Sequence, residues 1–312
     1  MHELTSTRAN HLIDPSLHVW EWQIPVYLFL GGLVAGMMVI SGYFLLSGRQ
    51  KRTRCACFML PSLSLILLSL GMFALFLDLE HKLYFWRLYT TFKILSPMSW
   101  GSWILMLVYP AILANLLLRL PAPLQVAFPR LQELSDRLVE HPMFVKWVGA
   151  VNMVLGGLLG VYTGILISTL AARPLWNSAL LGPIFLISGM SAAAAFVHMI
   201  AREVEERELL AKADNGFLMA ELIFIALFVG GMATSTQVHQ QAAGLLLGGP
   251  YTAVFWVFVV GLGIVFPLVI QLLAVNHKMQ HTPVAPILVM LGGLLLRFVI
   301  VSAGQVSHWT GN

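Results

Sequence analysis

The sequence predicts an all-α, polytopic membrane protein: one integral membrane domain with eight transmembrane helices. Three observations predict it. Of 312 residues, 58% are hydrophobic and only 10% are charged, whereas a soluble domain carries about 25% charged residues. Mean hydropathy is +0.82, which suits repeated apolar spans of roughly 20 residues, the length that crosses a bilayer core. Finally, eight such spans can be read off, at residues 22–47, 56–78, 99–120, 144–170, 175–200, 217–236, 251–275 and 284–305. A water-soluble globule is excluded. The net charge of +4 does not point to nucleic acid, because in a membrane protein the placement of Lys and Arg matters more than their sum.

That placement sets the topology. The first connection, GRQKRTR, is basic, the third carries Arg119, Arg130, Arg137 and Lys146, the fifth Arg202, Arg207 and Lys212, and the seventh Lys278. The other side holds fewer: Arg8, Lys82, Arg87, Lys93 and Arg173. By the positive-inside rule both termini lie outside. The first 21 residues are polar, include Asp14 and Glu21, and lack the basic and apolar regions of a cleavable signal. The connections are too short for a soluble domain, so a redox module needing one belongs to another chain. Glu203, Glu205, Glu206 and Glu208, interspersed with Arg202 and Arg207, predict a solvated helix extension stabilised by opposite charges three or four residues apart.

In the fourth span Gly156, Gly160 and Gly164 recur every four residues. They line one stripe along which another helix can approach closely, and Gly32, Gly36, Gly292 and Gly293 suggest further close approaches.

The polar groups within the spans carry the functional signal. Arg297 lies thirteen residues into the last span, about 20 Å from its inner end at 1.5 Å per residue. An arginine at that depth costs roughly 2.5–3.5 kcal/mol on insertion scales and needs a carboxylate, a polar ligand or water. Gly293, Gly304 and His308 share its face, with Gln305 close by, so the face is expected to look into a polar, outward-opening site. The plainer alternative is an arginine that pins helices through an ion pair. Asp78 ends the second span and is expected to pair with Lys82 or, across the bundle, with Arg297. Glu21, Gln23 and Tyr27 sit on the outer turns of the first span, and Tyr162 in the outer half of the fourth. Opposed acid and base groups beside a phenol suit a molecule that exchanges protons as it changes redox state, as a quinone headgroup does. Glu221, placed about one turn inside the inner boundary, is a candidate step in a proton route, with snorkelling or a pairing with His198 as the alternatives.

Tyr84, Phe85, Trp86, Tyr89 and Phe92 alternate with Lys82, Arg87 and Lys93 in the second connection. They form either an interfacial anchor or a docking surface for an extrinsic subunit. Of ten histidines only His198 falls within a span, so a bis-histidine haem cannot be assembled. Cys55 and Cys57 are too few for an iron-sulfur cluster.

The ordered set WEWQIPVYLFLGGLVAG, FLDLEHKLYFW with SPMSWGSW, GVYTGILIS, ISGMSAAAA, AELIFIALFVGG and LLLRFVIVSAGQ resembles the NrfD-like family, the integral membrane subunits of polysulfide reductase and related complexes. The resemblance spans nearly the whole chain. It implies two four-helix bundles without haem in a bacterial inner membrane. It also implies electron exchange between menaquinone or ubiquinone and a ferredoxin-like iron-sulfur subunit, with a molybdopterin or multihaem catalytic subunit beyond. By position it implies a quinone hydrogen bond for Tyr162 and a proton or hydrogen-bond role for Asp78. The polar positions of the first span correspond to Glu21, Gln23 and Tyr27, the arginine before the terminal glycine-glutamine pair to Arg297, and the carboxylate of the sixth helix to Glu221. Where many members follow the aspartate with an arginine-proline pair, this sequence has Glu80, His81 and Lys82.

The expectation is thus a quinone-reactive anchor of a respiratory oxidoreductase, with its site near the outer, periplasmic face. The rivals are a proton-coupled secondary transporter of a small anion, held by Arg297 and Asp78, and a purely structural anchor.

Overall fold

The computed structural model describes residues 19–49, 58–170, 173–275 and 283–309. Arg8, Lys51, Arg52, Arg54, Cys55, Cys57, Lys278, and His2, His11, His18, His277 and His281 lie outside the described residues. The helices are α1 (Gln23–Leu46), α2 (Leu60–Asp78), α3 (Arg87–Thr90), α4 (Pro97–Leu118), α5 (Ala122–Ala127), α6 (Pro129–Val139), α7 (Pro142–Ser168), α8 (Leu181–Ile200), α9 (Val204–Ala233) and α10 (Gln237–Leu247). A π-helical segment, Val254–Val265, then runs into α11 (Phe266–Val275), and α12 (Val284–Gln305) ends the fold. Among the described residues eight helices are long and apolar enough to cross a membrane, the π-helical segment with α11 forming the seventh.

These spans pack as two groups of four. In the first, α1 lies against α2 and α7, and α4 against α7 and α2. In the second, α8 packs on α9 and α12, while the π-helical segment and α11 pack on α12 and α9. Contacts of α1 with α8 and α12, and of α7 with α8, join the two. Because α12 returns beside the start of α1, both ends of the described residues lie on one face, here called the terminal face.

The glycine stripe of α7 explains the tight join. A Cβ at Gly156 would lie 2.7 Å from the Ala35 carbonyl oxygen of α1, and one at Gly164 would collide with the Leu181 carbonyl of α8. A side chain at either position would push α7 out of the groove between α1 and α8. Interior positions hold Phe44, Phe185, Phe228 and Phe255 fully buried, whereas Ile66, Phe73, Leu107, Val154 and Ile223 remain exposed. Exposed apolar side chains on the outward faces of spans are what contact with lipid requires.

Several sequence expectations are corrected. The fifth span starts at Leu181 rather than 175, because Pro174, Asn177 and Ser178 interrupt the apolar run. There Trp176 turns inward, donating from Nε1 to the Ile300 carbonyl at 2.9 Å. The sixth helix starts at Val204 rather than 217. Its charged first turns contain good helix formers that hydropathy discounts. They are also not wholly solvated, since Glu206 and Asp214 are buried. The third connection folds as α5 and α6.

Candidate functional site

Two polar regions stand out, one in each group of helices. In the first group α1 presents Tyr27 about one turn inside its start, and α7 presents Tyr162 about 9 Å short of its end at 1.5 Å per residue. Both are buried, at 4% and 5% exposure, and they are electrostatic neighbours. Small residues on the facing helices make room for the two rings. A side chain at Gly101 of α4 would occupy the space of the Tyr162 phenol, and one at Gly71 of α2 would come within 3.9 Å of the Tyr27 ring. Neither hydroxyl has a hydrogen-bond partner among the described residues.

Above these phenols, at the terminal face, Asp78 is half-buried at the end of α2 and is the electrostatic neighbour of exposed Glu21. The Gln23 side-chain oxygen is buried without a partner. Tyr89 of α3, which neighbours Tyr27, is half-buried. Burial, and secondarily Tyr109, pushes its phenol upward. Tyr109 is a site neighbour that the sequence reading missed: it stands within an apolar run beside Pro110, with no polar residue flanking it to single it out.

The second region is sealed. Arg297 is fully buried. Its Nη1 donates to Ser188 Oγ and to the Gly293 carbonyl at 2.9 Å, and its Nη2 donates to the Phe185 carbonyl at 2.9 Å. The guanidinium carbon lies 4.9 Å from the Phe185 ring centroid. Glu221 of α9 neighbours Ser188, and its charge acts on Arg297. The arginine's carboxylate is therefore Glu221 of α9, and none of its hydrogen bonds reaches Asp78. Nor does its face open outward, because α8 covers Arg297 and the Trp176 ring takes the space over Gly304. Since α9 starts at Val204, Glu221 lies about 25 Å along it at 1.5 Å per residue, deeper than its distance from residue 217 suggests.

Asp214, two turns before Glu221 on the same helix face, extends this polar series. Its carboxylate accepts from Ser191 Oγ at 2.6 Å and from Gln271 Nε2 at 2.7 Å. It is the second residue the sequence reading missed. The run AKADNG falls before residue 217, outside the sixth span that hydropathy draws, although Ser188 and Ser191 on α8 and Gln271 on α11 are polar signals.

Gln305 is placed apart from the tyrosines. Its side-chain oxygen accepts from the Val19 and Trp20 amides at 3.0 and 2.9 Å, and its amide donates to the Trp20 carbonyl at 2.8 Å. The Trp20 and Trp176 rings pack with centroids 5.1 Å apart. Beside them buried Arg173 donates to the Ser307 carbonyl at 2.8 Å. This clamp fixes Val19 and Trp20, which lead through Glu21 into the start of α1.

The candidate residues thus fall into three sets: Glu21, Gln23, Tyr27, Asp78 and Tyr162 at the terminal end of the first group, Arg297 with Glu221 in the second, and Gln305 as a clamp between them. Comparison with known proteins gives this arrangement a family. Residues 11–308 match the family described as Polysulphide reductase, NrfD. The protein is 30% identical to the C subunit of polysulfide reductase from Wolinella succinogenes, over 92% of its own length and 94% of that subunit. It is 28% identical to protein NrfD of Escherichia coli, covering 97% and 99%. It is also 26% identical to the NrfD homolog of Haemophilus influenzae, covering 93% and 95%. The protein belongs to the NrfD family of membrane subunits.

Proposed function

Starting from membership of the NrfD family, we propose that this subunit exchanges electrons between a membrane quinone and an extrinsic iron-sulfur subunit, at a site formed by Tyr27, Tyr162 and Asp78. The observation that carries this reading is the pair of buried phenols, brought together from α1 and α7 with uncommitted hydroxyls below Asp78 and Glu21. The donor set fits a quinone or quinol headgroup. Two phenol hydroxyls are free to donate to its oxygens, and the orphaned Gln23 oxygen is free to accept from a hydroxyl.

When bound, a quinol supplies two electrons and two protons as its hydroxyls become carbonyls. Tyr162 and Tyr27 hydrogen-bond the headgroup oxygens and fix its orientation. Asp78, half-buried at the mouth, takes up or returns the two protons one after the other, and exposed Glu21 beside it passes each to or from water. Electrons cross to a ferredoxin-like partner seated on the aromatic and basic segment between α2 and α4, and from there to or from a molybdopterin or multihaem subunit. By the positive-inside rule this site faces the periplasm. Arg297 acts from the second group of helices, where with Glu221 and Asp214 it lines a proton route through the bundle.

The test is quinol-dependent electron transfer by the purified complex. Asp78→Asn and Tyr162→Phe should each lower the rate by roughly 10²–10⁴-fold, the range expected when a positioned proton-transfer group is lost, with the iron-sulfur subunit still bound. Wild-type rates in both variants would overturn the site. Solute uptake by vesicles holding this subunit alone would favour a transporter instead.

A further inference from the structure

Opposite the terminal face, a cavity of about 610 Å³ lies between α6 and the ends of α1, α4 and α7. Its walls include Leu45 and Leu118, both buried, and nothing in the electron-transfer reading uses it. Arg119, directly after α4, lies deep in it at 8% exposure, with its guanidinium carbon 4.0 Å from the Phe58 ring centroid. Arg119 Nη1 is buried and has no hydrogen-bond partner. A buried donor without an acceptor carries its full desolvation cost, so the site is incomplete without an acceptor. The planar guanidinium fork matches phosphate oxygens. Burial lowers the Arg119 pKa to about 10, with Glu206 acting to raise it. The side chain is therefore cationic at neutral pH.

The mouth is mixed in sign. Lys146, Asp136 and Glu140 line it and are exposed. Asp136 is oriented by Gln132, whose Nε2 donates to its Oδ1 at 2.8 Å. With Arg119, the lining holds two cations and two carboxylates. A polyanionic headgroup would be repelled by the carboxylates, whereas a headgroup with one phosphate and one ammonium matches both signs. The setting is interfacial, because α6 and its flank expose Leu131, Leu134, Phe128 and Val126, the pattern of a helix lying at a headgroup boundary.

We infer that this cavity binds a zwitterionic aminophospholipid, with its phosphodiester on Arg119 and its primary ammonium at Asp136 and Glu140. The apolar walls take the first part of the acyl chains, which a free phosphate compound lacks.

The test uses the full-length protein in its purified complex, stripped of lipid in detergent, with binding read by native mass spectrometry. The probes are dioleoyl phosphatidylethanolamine, phosphatidylcholine and phosphatidylglycerol, and soluble glycerophosphoethanolamine. Phosphatidylethanolamine should bind one-to-one and about tenfold more tightly than the other two lipids, the scale of one charge-assisted hydrogen bond. Arg119→Gln should weaken it by about tenfold. The double variant Asp136→Asn with Glu140→Gln should remove the preference over phosphatidylcholine while phospholipid binding persists. These two residues are exposed, so this variant decides the matter if Arg119→Gln does not fold. Tighter binding of phosphatidylglycerol, equal binding of the soluble headgroup, or an unchanged preference in the double variant would overturn the assignment.

Discussion

The tyrosine site and the Arg297 network are both buried polar regions, yet they are built in opposite ways. Around Tyr27 and Tyr162 the hydroxyls have no partner among the described residues, and the acids Asp78 and Glu21 stand at the terminal face. Around Arg297 both terminal nitrogens of the guanidinium donate to α8 and α12, Asp214 holds one donor on each oxygen, and Glu221 is buried at 3% exposure, while Arg297 Nε is left without a partner. A site that must exchange a ligand keeps its donors uncommitted. A charge held within the hydrocarbon has to be satisfied by the protein itself, because no water is there to do it.

Four substitutions break or sharpen this contrast. The largest effect on stability is expected from Arg297→Met, which leaves Glu221 charged and buried without its cation. Removing one partner of a buried pair costs about 3–5 kcal/mol. A sharp fall in the thermal midpoint of the detergent-solubilised complex should follow, and adding Glu221→Gln should restore part of it. No recovery in the double variant would show that the two charges are not coupled. Gly101→Ala comes next. Its methyl would overlap the Tyr162 ring, so the phenol should be displaced and quinol-dependent turnover should fall toward the level of Tyr162→Phe, while the other helices stay packed.

Asp214→Asn should cost about 1–2 kcal/mol, since the amide oxygen can still accept one of the two hydrogen bonds and no charge has to be compensated. Electron transfer should persist with weaker proton movement across the membrane, measured with a pH dye in vesicles. Unchanged proton movement would make the Arg297 network a purely structural pin. The smallest effect is expected from Gln305→Ala. It removes three hydrogen bonds to Val19 and Trp20 but leaves the Trp20–Trp176 packing, and water can take over at exposed Val19, for a loss of about 1 kcal/mol. A rise in protease cleavage near Trp20, with turnover lowered only modestly, would report it.

Much of the fold was legible in advance because apolar length is a one-dimensional property. Each span needs enough consecutive apolar residues, and the sequence shows them directly. The errors fell where hydropathy stops being informative. The turn around Trp176 is apolar but not helical, and the start of α9 is helical but charged. The site was legible in part. Asp78, Tyr162 and Tyr27 are expected from the sequence at one depth; Tyr27 and Tyr162 are neighbours, and Asp78 stands at the end of α2 beside Glu21. Tyr109 and Asp214 were missed because neither interrupts a pattern: one is aromatic in an aromatic-tolerant span, the other acidic in an acidic helix start.

The sequence by itself determined that this is an eight-span membrane protein of the NrfD family, with its few intramembrane charges as the residues to watch. Only the tertiary structure decided how those charges are partnered. Asp78 and Arg297 are compatible in sign and expected depth, and a sequence offers no reason to keep them apart. Packing does so, because α8, at the join of the two helix groups, brings Ser188 and the Phe185 carbonyl to the guanidinium, while α9 supplies Glu221. Pairing depends on which helix faces meet, and that is fixed by the close approach of glycine-lined surfaces rather than by the charge of the residues that end up facing one another.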